Sequence, residues 1–322
     1  MVKNNIELSI VLPVYNEEKN IDLLYTKLIS SVEQLKCAYE IIFVNDGSID
    51  NSLEIIINLA KNNPNIKYID FSRNFGHQIA IYAGMENSKG NYVLTMDSDL
   101  QDPPEEIINL YNKVKQGFDI VHARRKQRKG ETIFKKLTAK IYYRILRKIT
   151  KCDIPVDVGD FRIISKKVVD ILKQMPEQEK YLRGQIAWVG FKQTFIEYDR
   201  DQRAEGKTKY STSKMTKLAL DGITSFSDFP LRFATYLGFF VSIISFVLML
   251  WVLYKRLIVK EYVQGWTSII LSVLFMGGIT LITIGIIGEY ISRMGNNVRK
   301  RPLYIINKTN LDNEEEDKEE AN

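Results

Sequence analysis

Apolar runs of strand length alternate with stretches of helical period along the first hundred residues. "LSIVLPVYNEE" is an apolar run halted at Pro13, and "IDLLYTKLISSVEQL" repeats its apolar positions at helical spacing. "YEIIFVNDGSID" reads as a second strand ending in a polar turn, followed by a second helix in "NSLEIIINLAKNN". "IKYIDFSRN", "GHQIAIYAGMENS" and "GNYVLTMDSD" give a third strand, a third helix and a fourth strand. Strands alternating with helices predict a parallel sheet covered on both faces. On that reading the turns 14–17, 45–48, 72–74 and 97–101 emerge at one edge, the carboxyl ends of the strands. Open α/β sheets bind their ligands there.

The pattern changes abruptly near the C-terminus. "ATYLGFFVSIISFVLMLWVLY" and "TSIILSVLFMGGITLITIGIIG" contain no charged residue. Each has roughly the twenty apolar residues that a helix needs to cross hydrocarbon. Trp251, Tyr254, Trp266 and Tyr290 stand at the ends, as interfacial anchors do. A short link, "KRLIVKEYVQGW", makes the pair an antiparallel hairpin, with spans expected at about 231–254 and 267–288. The bland alternative is a buried hairpin in a soluble core.

No export-signal pattern precedes the soluble part, so the N-terminal domain and both termini are expected in the cytoplasm, with the chain in the cell membrane. Lys214, Lys217 and Arg232 before the first span and Arg293, Arg299, Lys300 and Arg301 after the second agree. Lys255, Arg256 and Lys260 in the link reduce that bias. "IFKKLTAKIYYRILRKI" sets Ile133, Leu137, Ile141, Ile145 and Ile149 four apart among basic residues. It fits an interfacial amphipathic helix or one packed on the core; "STSKMTKLALDGITSFSDFPLR" invites the same two readings. The expected organisation is a domain over 1–230, the hairpin over 231–290 and an acidic tail over 291–322, disordered at its end.

Composition adds little and excludes some classes. The 322 residues carry a net charge of +6, and their two cysteines, Cys37 and Cys152, make neither a disulfide framework nor a zinc site. A reducing compartment follows. No G-x-G-x-x-G opens a helix after the first strand, and "EGKTKY" lacks the upstream glycine of a P-loop. Carboxylates without a glycine cradle handle phosphates through a metal. Asp97 and Asp99, in "LTMDSDLQDPPEE", can share a hard divalent cation that grips substrate phosphates. Alone, D-x-D is a weak signal; at the end of a fourth strand it is much more specific.

Together "VLPVYNEE", "VNDGSID", "DSDLQDPPE", "GDFRIISK" and "RAEGKTKY" resemble the family-two inverting glycosyltransferases, and most of all the polyprenyl-phosphate type. That type comprises bactoprenol glucosyltransferases and dolichol-phosphate mannose synthases. "GWTS", "GIIGEY" and the following "RP" extend the resemblance through the hairpin, over residues 6 to about 305. It implies a Rossmann-like GT-A domain followed by a two-helix transmembrane hairpin. It also implies transfer of a sugar, UDP-glucose or a related UDP-hexose being the leading donor, to undecaprenyl phosphate with inversion. GDP-mannose is the alternative donor. Pro13, Tyr15 and Glu17 would cradle the base and ribose, and Asp46 would contact the base. Asn45 stands where many relatives carry an aspartate. Asp97, Asp99 and Gln101 would ligate Mg²⁺ or Mn²⁺ on the diphosphate. Arg124, Arg203 and Lys209 would contact phosphates, with Gly206 in a mobile lid. Asp160 is the implied catalytic carboxylate, and Asp157 its weaker rival.

Plainer readings stand beside these. Arg203, Lys207 and Lys209 could form a solvated basic loop near an anionic membrane. His77 and His122 lack metal spacing and read as structural. Tyr15 and Phe71 could be packing residues, and Asp50, Asp102 and Glu105 caps of turns or helices. A lipid monophosphate is largely dianionic at neutral pH, by analogy with a phosphorylated side chain whose second pKa is about 6. Such a nucleophile gains little from a protein base, so Asp160 is expected to orient groups more than to abstract a proton. Arg124 and Arg125 are placed to meet the acceptor headgroup. A processive polysaccharide synthase would need more spans and a Q-x-x-R-W element, which "GQIAW" lacks. A non-catalytic scaffold would show degenerate carboxylates. Gly277, Gly278 and Gly285 could pack helix on helix in a homo-oligomer.

Overall fold

The computed structural model describes residues 6–126, 158–199, 229–254, 257–258 and 265–311. Its centre is an eight-stranded sheet of order β7-β5-β6-β4-β1-β2-β3-β8. The strands are β1 (Leu8–Val14), β2 (Tyr39–Asn45), β3 (Ile66–Phe71), β4 (Tyr92–Thr95), β5 (Ile120–Arg125), β6 (Val158–Ser165), β7 (Gln193–Tyr198) and β8 (Ile306–Thr309). Between them run α1 (Ile21–Val32), α2 (Ser52–Asn62), α3 (His77–Glu86), α4 (Glu106–Val114), α5 (Lys166–Gln174) and α6 (Leu182–Trp188).

β1 pairs in parallel with both β2 and β4, and β2 with β3, as the alternation predicts. Both sheet faces are covered. Leu8, Ile10, Leu12, Ile41 and Phe43 pack in a core with Leu24, Leu28, Ile107 and Leu110 of the helices. Val11, Ile42, Val44 and Ile69 point the other way, into a core with Ala80, Ile81 and Ala83 of α3. Near-continuous apolar strands are what a doubly covered sheet requires. Pro13 does not halt β1: it pairs with Val44, and the strand runs on to Val14. Its ring is tolerated because β4 accompanies β1 only as far as Val11, so the ladder is one-sided at Pro13.

Beyond β4 the sheet departs from simple alternation. β6 runs antiparallel to β4 and to β5, and β7 is parallel to β5. The opposite edge is closed by β8, antiparallel to β3. The expected tail over 291–322 is therefore not one piece. Residues from Arg301 onward belong to the same compact unit as residues 1–211, while 212–300 form the second unit.

That second unit holds α7 (Phe229–Tyr254) and α8 (Trp266–Arg299). Windows over Pro230–Leu248 and Phe275–Arg299 are long and apolar enough to cross a membrane, with mean hydropathies of 1.8 and 1.5. Almost none of either window is buried within the protein, unlike the helices of a soluble core. Phe239, Phe240, Phe246, Leu281 and Ile282 are among the exposed large side chains. α8 continues past the expected end at Gly288. The amphipathic segment 133–149, the sequence between 200 and 228, Asp157, Gly206, Arg203, Lys207 and Lys209 lie outside the described residues.

Candidate active site

Register alone brings the two acidic motifs together. Thr95 at the end of β4 faces Arg162 in antiparallel β6. Two residues further outward on each side, Asp97 falls opposite Asp160. Thr95 Oγ1 donates a hydrogen bond to the Asp160 carbonyl, closing the junction.

Asp160 is 4% exposed and surrounded by donors. Arg162 Nη2 reaches its Oδ1 at 2.5 Å, and Arg183 forks onto both oxygens at 3.2 Å each. Gln78 Nε2 donates to Oδ2 at 3.1 Å, and His77 Nε2 lies 3.3 Å from the same oxygen. Burial pushes the carboxyl up, but the Arg183, His77 and Arg162 charges outweigh it and hold Asp160 well below the usual carboxylate range. Such a group has little appetite for a proton. His77 also approaches Asp97 Oδ1 at 3.4 Å. Burial alone would lower the imidazole, yet the Asp160 hydrogen bond and the Asp97 and Asp160 charges raise it to about 9. His77 is thus a cation at neutral pH, shared between two carboxylates. It belongs to the site, correcting the structural role that its lack of metal spacing suggested. His122 does sit in the core, 3% exposed and 3.1 Å from Gln193 Oε1.

Asp97 is held in a different state. Its Oδ1 is buried without a hydrogen-bond partner. Burial and the nearby Asp160 and Asp99 charges raise its carboxyl above the ordinary range, against His77. Asp99, 8% exposed, accepts the amide of Gln101 at 3.2 Å. Leu100 between them is left-handed at φ 59°, and Ser98 Oγ ties this turn to the Pro13 carbonyl at 2.7 Å. Asp97 Oδ1, buried without a hydrogen bond and faced by the His77 ring at 3.4 Å, stands two residues from the Asp99 carboxylate. Such a pair of oxygen donors suits a hard divalent cation that takes its other ligands from water and phosphate.

The other turns are zipped together. Asn16 N donates to Ser48 Oγ at 3.0 Å, and Asn16 Oδ1 accepts from Ile49 N at 2.9 Å. Glu17 N donates to Ser52 Oγ at 2.9 Å, while the Glu17 carboxylate accepts from Asn20 at 2.6 Å. Asp50 bridges Glu18 N and Ser52 N, a turn cap as expected. Tyr15 stays 39% exposed at this edge, whereas Phe71 is buried in the core.

Asp46, expected to meet the base, has its carboxylate turned to the amides of Phe75 at 2.6 Å and Gly76 at 3.0 Å. Those amides begin α3, and a carboxylate there offsets its burial with charge-assisted hydrogen bonds. Gly47, at φ 64°, completes the turn; a Cβ there would stand 2.6 Å from the Arg73 carbonyl carbon and the Asn74 nitrogen. Asp102 is wholly buried, and Tyr198 donates to its Oδ1 at 2.5 Å. Arg125 Nε donates to the same phenol at 3.3 Å. Arg124 lies over the Phe195 ring at 3.4 Å, its Nε buried without a hydrogen-bond partner.

A parallel sheet with acidic turns at its carboxyl edge, extended by an antiparallel strand that carries a third carboxylate, is the architecture of the glycosyltransferase GT-A fold. The pattern of Glycosyl transferase family 2 matches residues 9–172. Over 308 residues the chain is 49% identical to an uncharacterized glycosyltransferase of Bacillus subtilis, covering 96% of this chain and 95% of that one. It is 42% identical to the bactoprenol glucosyl transferase of Shigella phage SfII, covering 95% of this chain and 99% of the other. The glucosyl-3-phosphoglycerate synthase of Mycobacterium tuberculosis, crystallised with Mn²⁺, UDP and phosphoglyceric acid, shares the fold. Its TM-score is 0.50 at 18% identity, over 69% of this chain and 78% of that one. The chain belongs to glycosyl transferase family 2.

Proposed function

We propose that the protein transfers glucose from UDP-glucose to undecaprenyl phosphate, with inversion, at the cytoplasmic face of the cell membrane. The relatives named bactoprenol glucosyl transferase, matched over nearly the whole chain, support the sugar and the acceptor class. One structural observation supports the reading most: Asp97 Oδ1, buried without a hydrogen bond, lies opposite Asp160, whose oxygens are held by Arg162, Arg183 and Gln78.

Asp97, Asp99 and Gln101 would hold Mg²⁺ or Mn²⁺, which supplies positive charge to a departing diphosphate. Among the described residues no group of three or more His, Cys, Asp or Glu is placed to hold an ion unaided. That suits a cation whose remaining ligands are substrate phosphate oxygens and waters. Pro13, Tyr15 and Glu17 line the donor edge, and Asp46 shapes it by fixing the 72–76 loop. Arg124, Arg203 and Lys209 are assigned to phosphates.

The acceptor phosphate needs no base, being already dianionic at neutral pH. Its oxygen attacks the anomeric carbon as the bond to the nucleoside diphosphate breaks, giving one inversion. Asp160, held so far below the usual range, abstracts no proton; it fixes His77, Gln78 and Arg183 in place. Preorganised positive charge of this kind is the largest usual source of such catalysis. The apolar helices cross the bilayer as a hairpin and keep the enzyme where a polyprenyl phosphate presents its headgroup.

Purified protein is incubated with undecaprenyl phosphate and a panel of nucleotide sugars, with Mn²⁺, Mg²⁺ or EDTA, and the lipids are read by mass. A hexosyl monophosphate lipid from UDP-glucose, lost in EDTA, is expected. No glycolipid from any donor would overturn the function; transfer undiminished by EDTA would overturn the metal site alone.

A further inference from the structure

We propose that the strand after the second apolar helix is a working part of the donor site, with Asn307 as a positioning residue for the nucleotide. The inference rests on the donor reading above. Three separate ties hold 301–311 to the sheet, and two of them reach the turns that shape the donor edge. First, the ladder between β3 and β8 shifts register between Asp70 and Phe71, so Asn307 is the extra residue of a bulge. Bulges re-aim side chains, and here Asn307 Nδ2 donates to Asp70 Oδ2 at 2.8 Å. The other oxygen of Asp70 accepts from Asn45 Nδ2 at 2.7 Å. Asn45 in turn takes the Ser48 amide on its Oδ1 at 3.4 Å. An unbroken chain thus runs from the last strand into the "NDGS" turn.

Second, the Ile305 carbonyl accepts the Ser72 amide at 3.0 Å, fixing the start of the 72–76 loop. Third, Tyr304 stacks on Phe71 with ring centroids 5.1 Å apart. Its hydroxyl donates to Glu86 at 2.7 Å and accepts from Asn87 at 3.1 Å, both at the far end of α3. The loop's other end is held by Asp46, whose backbone carbonyl also accepts from Asn74 at 3.0 Å. Asp70 is 3% exposed and Asn45 2% exposed. Asn307 itself is exposed, so its removal exchanges a fixed hydrogen bond on Asp70 for water and frees Asn45 and its turn to shift.

The test compares UDP and GDP binding and steady-state kinetics of full-length wild-type protein with three variants. Asn307→Ala is expected to weaken UDP binding and raise the donor KM by about tenfold. Its acceptor KM and its kcat at saturating donor stay within about twofold. Asn307→Asp sets a carboxylate against Asp70 and behaves as badly or worse. Adding Asp70→Asn to it restores both hydrogen bonds, with donor and acceptor exchanged between positions 70 and 307 and unchanged between 45 and 70, and donor KM returns toward wild type. Unchanged donor KM in folded N307A overturns the proposal, as does a parallel loss for donor and acceptor. Should N307A not fold, the comparison of N307D with D70N/N307D decides: equal donor KM overturns it. Wild-type protein that binds neither UDP nor GDP would sink the donor reading and this inference together.

Discussion

The Nε2 atom of His77 stands 3.3 Å from a carboxylate oxygen of Asp160, across 83 residues of sequence. Its 3.4 Å approach to Asp97 makes it the one side chain among the described residues that pairs with both carboxylates. His77→Ala leaves Asp97 without an ion-pair partner among the described residues. A fall in kcat/KM of about 10–100-fold is expected, with a changed half-activating Mn²⁺ concentration. Activity within twofold of wild type at every Mn²⁺ concentration would remove His77 from the site.

Asp97 and Asp160 differ in what they do for the folded state. Asp160→Ala strands the buried Arg162, and a loss of about 3–5 kcal/mol is expected. Asp97→Asn removes a carboxylate held above its ordinary range by burial and by like charges. Without metal it should be neutral or stabilising by about 1 kcal/mol while transfer is abolished. Denaturant titration in chelated buffer beside an activity assay checks both. Substantial destabilisation by Asp97→Asn would contradict the arrangement.

Asn45 answers to Asp70. Asn45→Asp would press two buried carboxylates together across 2.7 Å, costing about 2–4 kcal/mol. Adding Asp70→Asn should recover most of it, as chemical denaturation of the single and double variants will tell.

His122 gives a pH signature separate from the active site. Burial, then the Arg162 and Arg124 charges, lower its imidazole to about 4, against the hydrogen bond to Gln193. Between about pH 4 and 6.5 the unfolded chain binds a proton that the folded chain does not. Stability therefore rises with pH across that window, by up to about 1.4 kcal/mol per unit from this group. His122→Gln should flatten the pH profile there by that amount; identical profiles would mean that the ring is protonated in the fold.

Gly47→Ala asks a left-handed residue to carry a Cβ into the backbone of Arg73 and Asn74. A loss of about 1–3 kcal/mol and a raised donor KM are expected. Donor KM unchanged in a destabilised variant would detach this turn from nucleotide binding.

The first four strands and their helices were legible because each is a local pattern: an apolar run, a polar turn, an amphipathic helix. So was the pair Asp97 and Asp99, whose place at the end of β4 follows from the run before it. What escaped the sequence depends on distant pairing. His77 looks solitary until antiparallel β6 brings Asp160 beside it. Arg183 reaches the same carboxylate from a helix 23 residues further along the chain. Asp102 reads as a turn residue, yet Tyr198, 96 residues away, seals it inside. β8 is four residues long and largely exposed, with no periodicity to announce it. Its place is set by side chains such as Asn310, which takes the Tyr68 amide at 2.7 Å and gives to the Ile66 carbonyl at 3.0 Å.

Because β8 lies beyond both apolar helices, the ribosome makes it after nearly everything else. Until it emerges, β3 is an open edge, with unpaired amides and carbonyls that invite wrong partners. The sheet can close only once the hairpin has left the exit tunnel. Completion of the sheet thus comes after synthesis of the two long apolar helices, and an enzyme cut short before Arg301 would lack its last strand.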